Sequence, residues 1–213
     1  MSYTPSVRLS SHILHEMLIF KRFFDIGVSF LLLALCSWLF VLLAVLIRKD
    51  SKGPVFFVQV RVGRDGKLFP MLKFRTMHRG AEGQWQPPSK EKALDYKFQE
   101  QDDRRVTRMG RILRRTSLDE LPQLWNVLRG DMSLIGPRPE IPQMVALYPD
   151  YAHFRHQMRP GITGLAQVMG RGDLTLAESL HWDLEYCQNW TIGLDFKIVW
   201  KTIRAVLARR GAY

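Results

Sequence analysis

The longest apolar stretch of the chain covers residues 26–47 and contains no charged residue. Its 22 residues are enough for a helix that crosses a bilayer. Leucine occurs on all sides of the helix that this run would form, so a buried amphipathic core helix is the weaker interpretation. A cleaved signal peptide fits poorly, because the run begins late and no small-residue cleavage site follows it. We therefore predict a membrane helix near the N-terminus.

Basic residues flank this apolar run at both ends. They are Lys21, Arg22, Arg48, Lys49 and Lys52. Because positive charge prefers the cytoplasmic side of a membrane, the pattern favours a re-entrant helix that enters and leaves through the same leaflet. The middle of the run reads Cys36-Ser37-Trp38 and has no proline, the usual cause of a sharp bend. Ser37 bends a helix only weakly, so a spanning helix stays open as the alternative.

Beyond the apolar run the pattern becomes β-like. The runs VFFVQVRVG and LFPMLKFRTM are rich in valine and phenylalanine and are separated by RDGK, which predicts a β-hairpin. Pro70 pushes part of the second run to a sheet edge. Residues 79–103 are polar, and we interpret them as a loop with one short helix over residues 90–99.

The acid pair Asp119 and Glu120 precedes the next helical pattern. Apolar residues fall at i, i+3, i+4 and i+7, which predicts a helix that buries Leu121, Leu124, Trp125 and Leu128. Gly130 ends this helix. Since proline costs no hydrogen bond only in the first turn, Pro122 places the N-cap at or close to Asp119. The alternative, a capping box from Ser117 to Glu120, would put Pro122 in the helix interior.

Three further helices are predicted towards the C-terminus, over residues 143–148, 174–189 and 196–210. The last has an apolar face made of Phe196, Val199, Trp200, Ile203, Val206 and Leu207. Its opposite face carries Lys197, Lys201 and Arg204. A basic amphipathic helix with tryptophan is typical of a membrane interface, although such helices also cover protein cores.

The composition and net charge restrict the classes of partner that this chain can bind. Its 213 residues suit one sizeable domain, and a 46% hydrophobic content excludes a disordered polypeptide. Lys and Arg total 31 against 20 acids, and the net charge of +11 indicates an anionic partner. Nucleic acid, phosphorylated metabolites and acidic lipid all qualify. We divide the chain into a membrane segment, residues 1–50, and a catalytic domain, residues 51–213.

The acid pair follows an arginine-rich segment, RRVTRMGRILRRTS, with six arginines in residues 104–117. No HExxH, GxSxG, P-loop or dinucleotide-binding motif occurs in the chain. A carboxylate can act as a nucleophile towards phosphorus, and such chemistry uses arginines and a divalent ion to neutralise phosphate charge. Mg²⁺ suits a site made of oxygen ligands. The spacing alone leaves open whether the arginines form a phosphate site or a solvated basic face.

These segments together resemble the bacterial sugar transferase family, the monotopic polyprenyl-phosphate phosphoglycosyl transferases. The likeness includes KRFFD (21–25), GPVFFVQVRVG (53–63), KFRTM (73–77), the segment 105–140 around TSLDELPQLWN, RPGITGLAQVMGR (159–171) and LDFKIVWKTI (194–203). It covers nearly the whole length, as in the small form of the family. One position differs, because relatives usually carry Ser-Pro in the membrane helix where this chain has Ser37-Trp38.

The resemblance implies an enzyme that transfers a phosphosugar from a UDP-sugar to a polyprenyl phosphate, such as undecaprenyl phosphate. Asp119 would attack the β-phosphate and release UMP, and Glu120 would help Asp119 to hold Mg²⁺. The residues implied to bind substrate phosphates are Lys73, Arg114, Arg138 and Arg171. The product would start a surface glycan: an exopolysaccharide, the O-antigen of a lipopolysaccharide or a glycoprotein glycan.

The expected fold is α+β: a mostly helical, membrane-associated domain with a small β-hairpin, an N-terminal re-entrant helix and a C-terminal interfacial helix. The expected location is the cytoplasmic face of the bacterial inner membrane, with membrane lipid as a further partner. Oligomeric state is left open, a homo-oligomer included. Two other functions compete. A non-enzymatic basic membrane anchor has no need for the acid pair, and a nucleic-acid binder lacks a recognition motif and leaves the apolar run unexplained.

Overall fold

The computed structural model describes residues 11–97 and 103–207. The predicted N-terminal helix is present but broken: α1 covers Ser11–Leu35, and α2 covers Ser37–Asp50. None of the described helices is by itself long and apolar enough to cross a membrane. The pair Glu16–Leu35 and Ser37–Asp50 meets that test only together and is bent by 61°. The break at Cys36 occurs without proline.

The polar end of α1 is docked onto the rest of the protein through three charged side chains. Lys21 forms a 2.6 Å ion pair with Asp195, and Arg22 donates to the Val127 carbonyl at 2.6 Å. Asp25 is buried and accepts a hydrogen bond from the Ser133 hydroxyl at 2.7 Å. Beyond Asp25, many apolar side chains of α1 and α2 are exposed, among them Phe30, Leu35, Trp38 and Val41.

The predicted β-hairpin is confirmed. Strands β1 (Phe56–Val62) and β2 (Leu68–Phe74) pair antiparallel around a turn at Arg64–Gly66. The inner face buries Phe69 and Met71 and also carries Arg61 and Lys73. The open edge of β2 is closed by Asn126, which accepts a hydrogen bond from the Leu72 N–H and donates one to the Pro70 carbonyl. The hairpin thereby places two cations on the side that faces the acid pair.

The chain enters the acid pair through a tight turn. Helix α3 (Arg108–Thr116) ends at Ser117, whose φ is 57°, and a 3-10 turn follows over Leu118–Glu120. Helix α4 (Gln123–Arg129) begins only after Pro122 and ends at Gly130, as predicted. The predicted N-cap at Asp119 and the alternative capping box are therefore both wrong. Consecutive i to i+3 hydrogen bonds, from Glu120 N–H to Ser117 and from Leu121 N–H to Leu118, hold the acid pair in the turn.

The later start of α4 also changes which of its residues are buried. Leu124 is buried as predicted, but Trp125 is 52% exposed. Gln123, Asn126 and Val127 occupy the inner face. The predicted apolar face is thus only partly correct.

Two buried segments pack closely against each other at glycine residues. Strand β3 (Ser133–Ile135) pairs parallel with β4 (Gly161–Thr163). A Cβ atom at Gly136 would collide with the Arg159 carbonyl, and one at Gly161 or Gly164 would collide with the Gly136 backbone. Because the two backbones are in direct contact at these glycines, a shift of one segment requires a matching shift of the other.

The helices towards the C-terminus follow the prediction with different bounds. The three predicted helices are α5 (Pro142–Val145), α7 (Leu176–Gln188) and α8 (Ile192–Leu207), and a short helix that was not predicted, α6 (Leu165–Met169), lies between α5 and α7. Thr175 and Glu178 form a capping box at the start of α7. On α8 Ile198 is buried, whereas Phe196, Trp200 and Ile203 are exposed. The Phe196 ring lies 6.4 Å from the Phe24 ring of α1, so exposed apolar faces of the two helices meet.

The helix predicted over residues 90–99 is wrong for the part that the structure describes. Only a 3-10 turn, Lys90–Lys92, forms there, and residues 98 and 99 lie outside the described residues. The carbonyls of Leu94 and Tyr96 accept hydrogen bonds from Ala177 and Leu176 at the start of α7. These tertiary hydrogen bonds replace the intrahelical ones.

Candidate active site

The acid pair lies where the tight turn, the hairpin, α3 and the loop after β3 converge. Glu120 is the better-satisfied member. Its Oε1 accepts hydrogen bonds from Lys73 Nζ at 3.3 Å and from Arg138 Nη2 at 2.8 Å. Burial opposes ionisation of Glu120, but the charges of Arg138 and Lys73 outweigh it and lower the pKa to about 2. Glu120 is therefore a fixed negative charge that organises two cations.

Asp119 is in a different state. It is 8% exposed, and no side chain or N–H group within the described residues donates a hydrogen bond to its carboxylate. Burial raises its pKa to about 6, and the neighbouring Glu120 charge adds to this rise. Lys73, Arg114 and Arg138 oppose it. The result is a buried carboxylate in a cationic field with its lone pairs uncommitted, as a nucleophile requires.

Arg114 is held against the hairpin by a close backbone contact. A Cβ atom at Gly110 would collide with the Thr76 carbonyl, so glycine lets α3 approach closely. Thr107 N–H donates to the same carbonyl at 3.0 Å, and Arg114 Nε donates to the Thr76 hydroxyl at 3.1 Å. Burial lowers the pKa of Arg114, and Asp119 is the first charge that opposes this shift. Arg114 thus contributes positive charge to the Asp119 side.

Arg138 is presented by the irregular loop of residues 136–140. Its side chain is 38% exposed, and the Glu120 charge raises its pKa above the ordinary value. Four consecutive carbonyls of this loop accept hydrogen bonds from elsewhere in the chain. The donors are Gly161 N–H for Pro137, Arg155 Nη2 for Arg138, Arg61 Nη1 for Pro139 and Val62 N–H for Glu140. The loop is therefore fixed although it has no regular structure.

The structure brings together five of the six residues singled out from the sequence: Asp119, Glu120, Lys73, Arg114 and Arg138. Arg171 begins a 3-10 turn, Arg171–Asp173, after α6, but its side chain lies outside the described part of the chain. Its assignment to a substrate phosphate stays a prediction.

Arg61, Glu140, Arg155 and Asp183 were not predicted. Arg61 pairs with Glu140 at 3.3 Å beside the site, and Arg155 forms a buried ion pair with Asp183 at 2.6 Å. Arg61 occurs on the same face of the hairpin as Lys73, and strand alternation could have identified it. Arg155 lies in a polar, weakly patterned segment, and no local signal marks it.

Asp119 and Glu120 could supply only part of the coordination shell of Mg²⁺. Among the described residues, no group of three or more histidine, cysteine or acidic side chains could hold a metal ion. Lys73 and Arg138 both contact Oε1 of Glu120, which leaves Oε2 without a hydrogen bond from any described residue. Mg²⁺ is commonly held by one or two carboxylates together with substrate phosphates and water. The donor set is compatible with that arrangement.

Comparisons with known proteins identify the family to which this sequence is similar. The family model for "Bacterial sugar transferase" matches residues 16–209. An exopolysaccharide production protein, ExoY of Sinorhizobium fredii, is 42% identical over 91% of this chain and 88% of its own length. A "UDP-glucose:undecaprenyl-phosphate glucose-1-phosphate transferase" of Caulobacter vibrioides is 44% identical over 91% of this chain and 72% of that protein. The "Undecaprenyl-phosphate galactose phosphotransferase" of Salmonella typhimurium is 41% identical over 91% of this chain, which spans 41% of it.

Proposed function

The chain belongs to the bacterial sugar transferase family, and we propose that it transfers a phosphosugar from a UDP-sugar to a polyprenyl phosphate such as undecaprenyl phosphate. The observation that carries this proposal is the buried, uncommitted Asp119 carboxylate beside Lys73, Arg114 and Arg138. Relatives whose names state an undecaprenyl-phosphate acceptor support the lipid substrate.

In the first half-reaction, a carboxylate oxygen of Asp119 attacks the β-phosphorus of the UDP-sugar. A bond forms between Asp119 and this phosphorus, and the bond from phosphorus to the oxygen that bridges the two phosphates breaks. UMP leaves with that electron pair, and the phosphosugar stays on Asp119 as an acyl-phosphate. Arg114, Arg138 and Lys73 stabilise the charge that develops on the phosphate oxygens.

In the second half-reaction, an oxygen of the polyprenyl phosphate attacks the same phosphorus. The bond to Asp119 breaks, its carboxylate is regenerated, and the polyprenyl-diphosphate-sugar is released. Glu120 holds Lys73 and Arg138 in place in both steps because it already pairs with them in the free protein. No protein group other than Asp119 has to change its covalent state.

Asp119 and the free Oε2 of Glu120 are the residues that would hold Mg²⁺. The ion, when bound, supplies charge neutralisation for the pyrophosphate of the donor. The protein residues then orient the phosphates and exclude water.

We place the chain at the cytoplasmic face of the bacterial inner membrane, with α1 and α2 re-entering the same leaflet. The apolar arms of residues 26–35 and 37–47 are each roughly 15 Å long at 1.5 Å per residue. Each arm is therefore about half as long as the hydrocarbon core is thick. The 61° bend, the basic flanks and the exposed apolar faces of α1 and α8 support this placement.

The catalytic proposal is tested with purified full-length protein in lipid, polyprenyl phosphate and Mg²⁺. A panel of UDP-sugars is screened for UMP release, and the intact protein mass is recorded before the lipid acceptor is added. We expect UMP release with at least one donor and a mass increase equal to one phosphosugar. Both signals should disappear in Asp119→Asn. UMP release without dependence on Asp119 would refute the proposed nucleophile, and no release with any donor would refute the donor class.

Topology is tested separately in cells, with accessibility tags placed before Lys21 and after Lys52. Both tags should report the cytoplasmic side. A periplasmic signal from the first tag would establish a spanning helix and contradict re-entry.

A further inference from the structure

Arg155 is a buried cation directly beneath the active-site loop. It is 3% exposed, so it cannot contact substrate. Its Nη2 donates to the Arg138 carbonyl and, at 2.6 Å, to Oδ2 of Asp183. Its Nε reaches the same carboxylate at 3.0 Å, and its Nη1 donates to the Tyr148 hydroxyl at 3.2 Å. The guanidinium thus links three elements at one point: the loop, α7 and the core.

Stability alone does not account for this pair. Removing two charges from water costs about as much free energy as their attraction returns, and apolar residues of similar volume often serve a core equally well. Oδ1 of Asp183 is also buried without a hydrogen-bond partner among the described residues, which adds a further cost. An apolar pair could not reproduce the hydrogen bonds to the Tyr148 hydroxyl and to the Arg138 carbonyl, and only the second reaches the active-site loop.

That carbonyl controls the geometry of Arg138. Pro137 and Pro139 have fixed φ angles, and a residue that precedes proline is restricted to extended conformations. Within that range, the direction of the Arg138 carbonyl sets ψ and therefore the direction in which the backbone presents the side chain. A carbonyl that lost its buried donor would turn towards water, and the Arg138 side chain would leave its 2.8 Å contact with Glu120.

We propose that Arg155, held by Asp183, is a positioning residue that orients Arg138 towards Glu120 and the donor pyrophosphate. The substrate side of this inference rests on the proposed function. Arg155 acts only through Arg138, so its contribution to donor binding should vanish once Arg138 is removed.

A double-mutant cycle tests this dependence directly. Full-length wild type, Arg155→Met, Arg138→Met and the double variant are compared for UDP affinity in the presence of Mg²⁺ and for UMP release. We expect Arg155→Met to weaken UDP binding about tenfold and to raise KM for the donor more than it lowers kcat. The double variant should bind UDP as Arg138→Met does, within about twofold. Losses that multiply in the double variant would overturn the inference.

Lys21→Met serves as the matched control for general destabilisation. Lys21 is half-buried and forms an ion pair with the buried Asp195, but its hydrogen bond does not involve the loop of residues 136–140. We expect this variant to lower the melting temperature and to keep UDP affinity within about twofold of wild type. Weakening of UDP binding equal to that of Arg155→Met, at an equal loss of melting temperature, would show that destabilisation is the cause.

Asp183→Asn provides a second variant if Arg155→Met does not fold. It keeps the volume of the side chain and removes only the charge partner of Arg155. We expect a loss of UDP affinity in the same direction, about threefold, that also disappears in an Arg138→Met background. A persistent loss there would overturn the inference.

The two proposals fail in different ways. Wild type that binds UDP but releases no UMP contradicts the catalytic proposal, while the binding cycle still decides the role of Arg155. Wild type that releases UMP and shows a multiplicative cycle contradicts only the role of Arg155. Wild type that neither binds UDP nor releases UMP contradicts both.

Discussion

Asp119 and Asp195 are equally buried, at 8% exposure each, but they are in opposite situations. Asp195 accepts hydrogen bonds from Lys21 at 2.6 Å, Tyr186 at 2.8 Å and Trp190 at 3.2 Å. Its carboxylate ties α1 to α8. Asp119 accepts no hydrogen bond within the described residues and has only the longer-range field of nearby cations.

The difference shows how a buried acid reveals its role. A carboxylate whose lone pairs are all used holds elements together, since buried polar groups are normally satisfied. One that is buried and left uncommitted makes the fold less stable, and proteins keep such groups where chemistry needs them. Residue type and burial do not separate the two cases. The hydrogen bonds do.

The largest expected effect separates these two acids by activity. Asp119→Asn removes the proposed nucleophile and should lower UMP release by at least about a thousandfold. Asp195→Asn keeps the volume of the side chain and one acceptor oxygen, and because Asp195 lies outside the proposed site, the variant should retain activity within a fewfold range. Initial rates of UMP release from the same donor measure both. An active Asp119→Asn variant, or an inactive but folded Asp195→Asn variant, would contradict the different roles assigned to the two acids.

The cations near the two acids, Arg138 and Lys21, should also differ in their effect on activity. Arg138→Met removes a group that we propose stabilises charge in the transition state, and we expect kcat/KM to fall about a hundredfold or more. Lys21→Met removes only the cation that anchors α1 and should change kcat/KM by less than about threefold. Steady-state kinetics at several donor concentrations compare them. Similar losses in the two variants would mean that the site has no special dependence on Arg138.

The pH profile tests the state of Asp119. Burial raises its pKa to about 6, so the carboxylate of this proposed nucleophile is mostly protonated below that pH. Glu120, with a pKa of about 2, remains ionised. We expect kcat/KM for UMP release, which reports the free enzyme, to be constant above pH 7 and to be about tenfold lower at pH 5. Asp195→Asn should show the same profile. A rate that is unchanged down to pH 4.5 would contradict the raised pKa.

The smallest effect concerns stability, and its sign is opposite for the two acids. Because the pKa of Asp119 is higher in the folded protein than its ordinary value of 3.8, the folded state binds the proton more tightly. The ionised carboxylate therefore destabilises the fold at pH 7.5, and this cost disappears as the pH falls below 3.8. Without added metal, Asp119→Asn should raise the free energy of unfolding at pH 7.5 by about 1–3 kcal/mol.

Asp195→Asn should instead lower the free energy of unfolding by about 1–3 kcal/mol, since Lys21 loses its partner. Denaturation of both variants in EDTA at pH 7.5 and pH 4 provides the comparison, and the gain of Asp119→Asn should be absent at pH 4. Destabilisation by Asp119→Asn at pH 7.5 would show that this carboxylate has partners that stabilise the fold.

Local patterns predicted the parts of the fold that depend on neighbours in sequence. The β-hairpin followed from two runs rich in valine and phenylalanine on either side of the Arg-Asp-Gly turn, and Gly130 correctly ended α4. The start of α4 was wrong because a left-handed Ser117 and a 3-10 turn hold the acid pair outside the helix. The helix over residues 90–99 was wrong because its carbonyls bond to α7 instead. Both errors come from contacts that sequence periodicity does not encode.

Only part of the site could be predicted from the sequence. Lys73 lies 47 positions before Glu120, and Arg138 lies 18 positions after it, so their meeting at one carboxylate oxygen depends on the tertiary fold. Resemblance to a family supplied these residues, since spacing could not. Arg155 and Asp183 were missed because no local pattern marks either residue: Arg155 donates to the backbone carbonyl of Arg138, and Asp183 accepts hydrogen bonds from the Arg155 side chain.

The glycine crossing between β3 and β4 has a consequence for engineering donor preference. The loop that presents Arg138 begins at Gly136, and Gly136 contacts the backbone around Gly161 and Gly164. A chimera that grafts residues 131–140 from a relative with another donor would retain the host's residues 159–166 at the crossing. Grafting both segments from the same parent preserves the crossing as one exchangeable module. Exchanges of the loop that carries Arg138 should therefore move the two segments together.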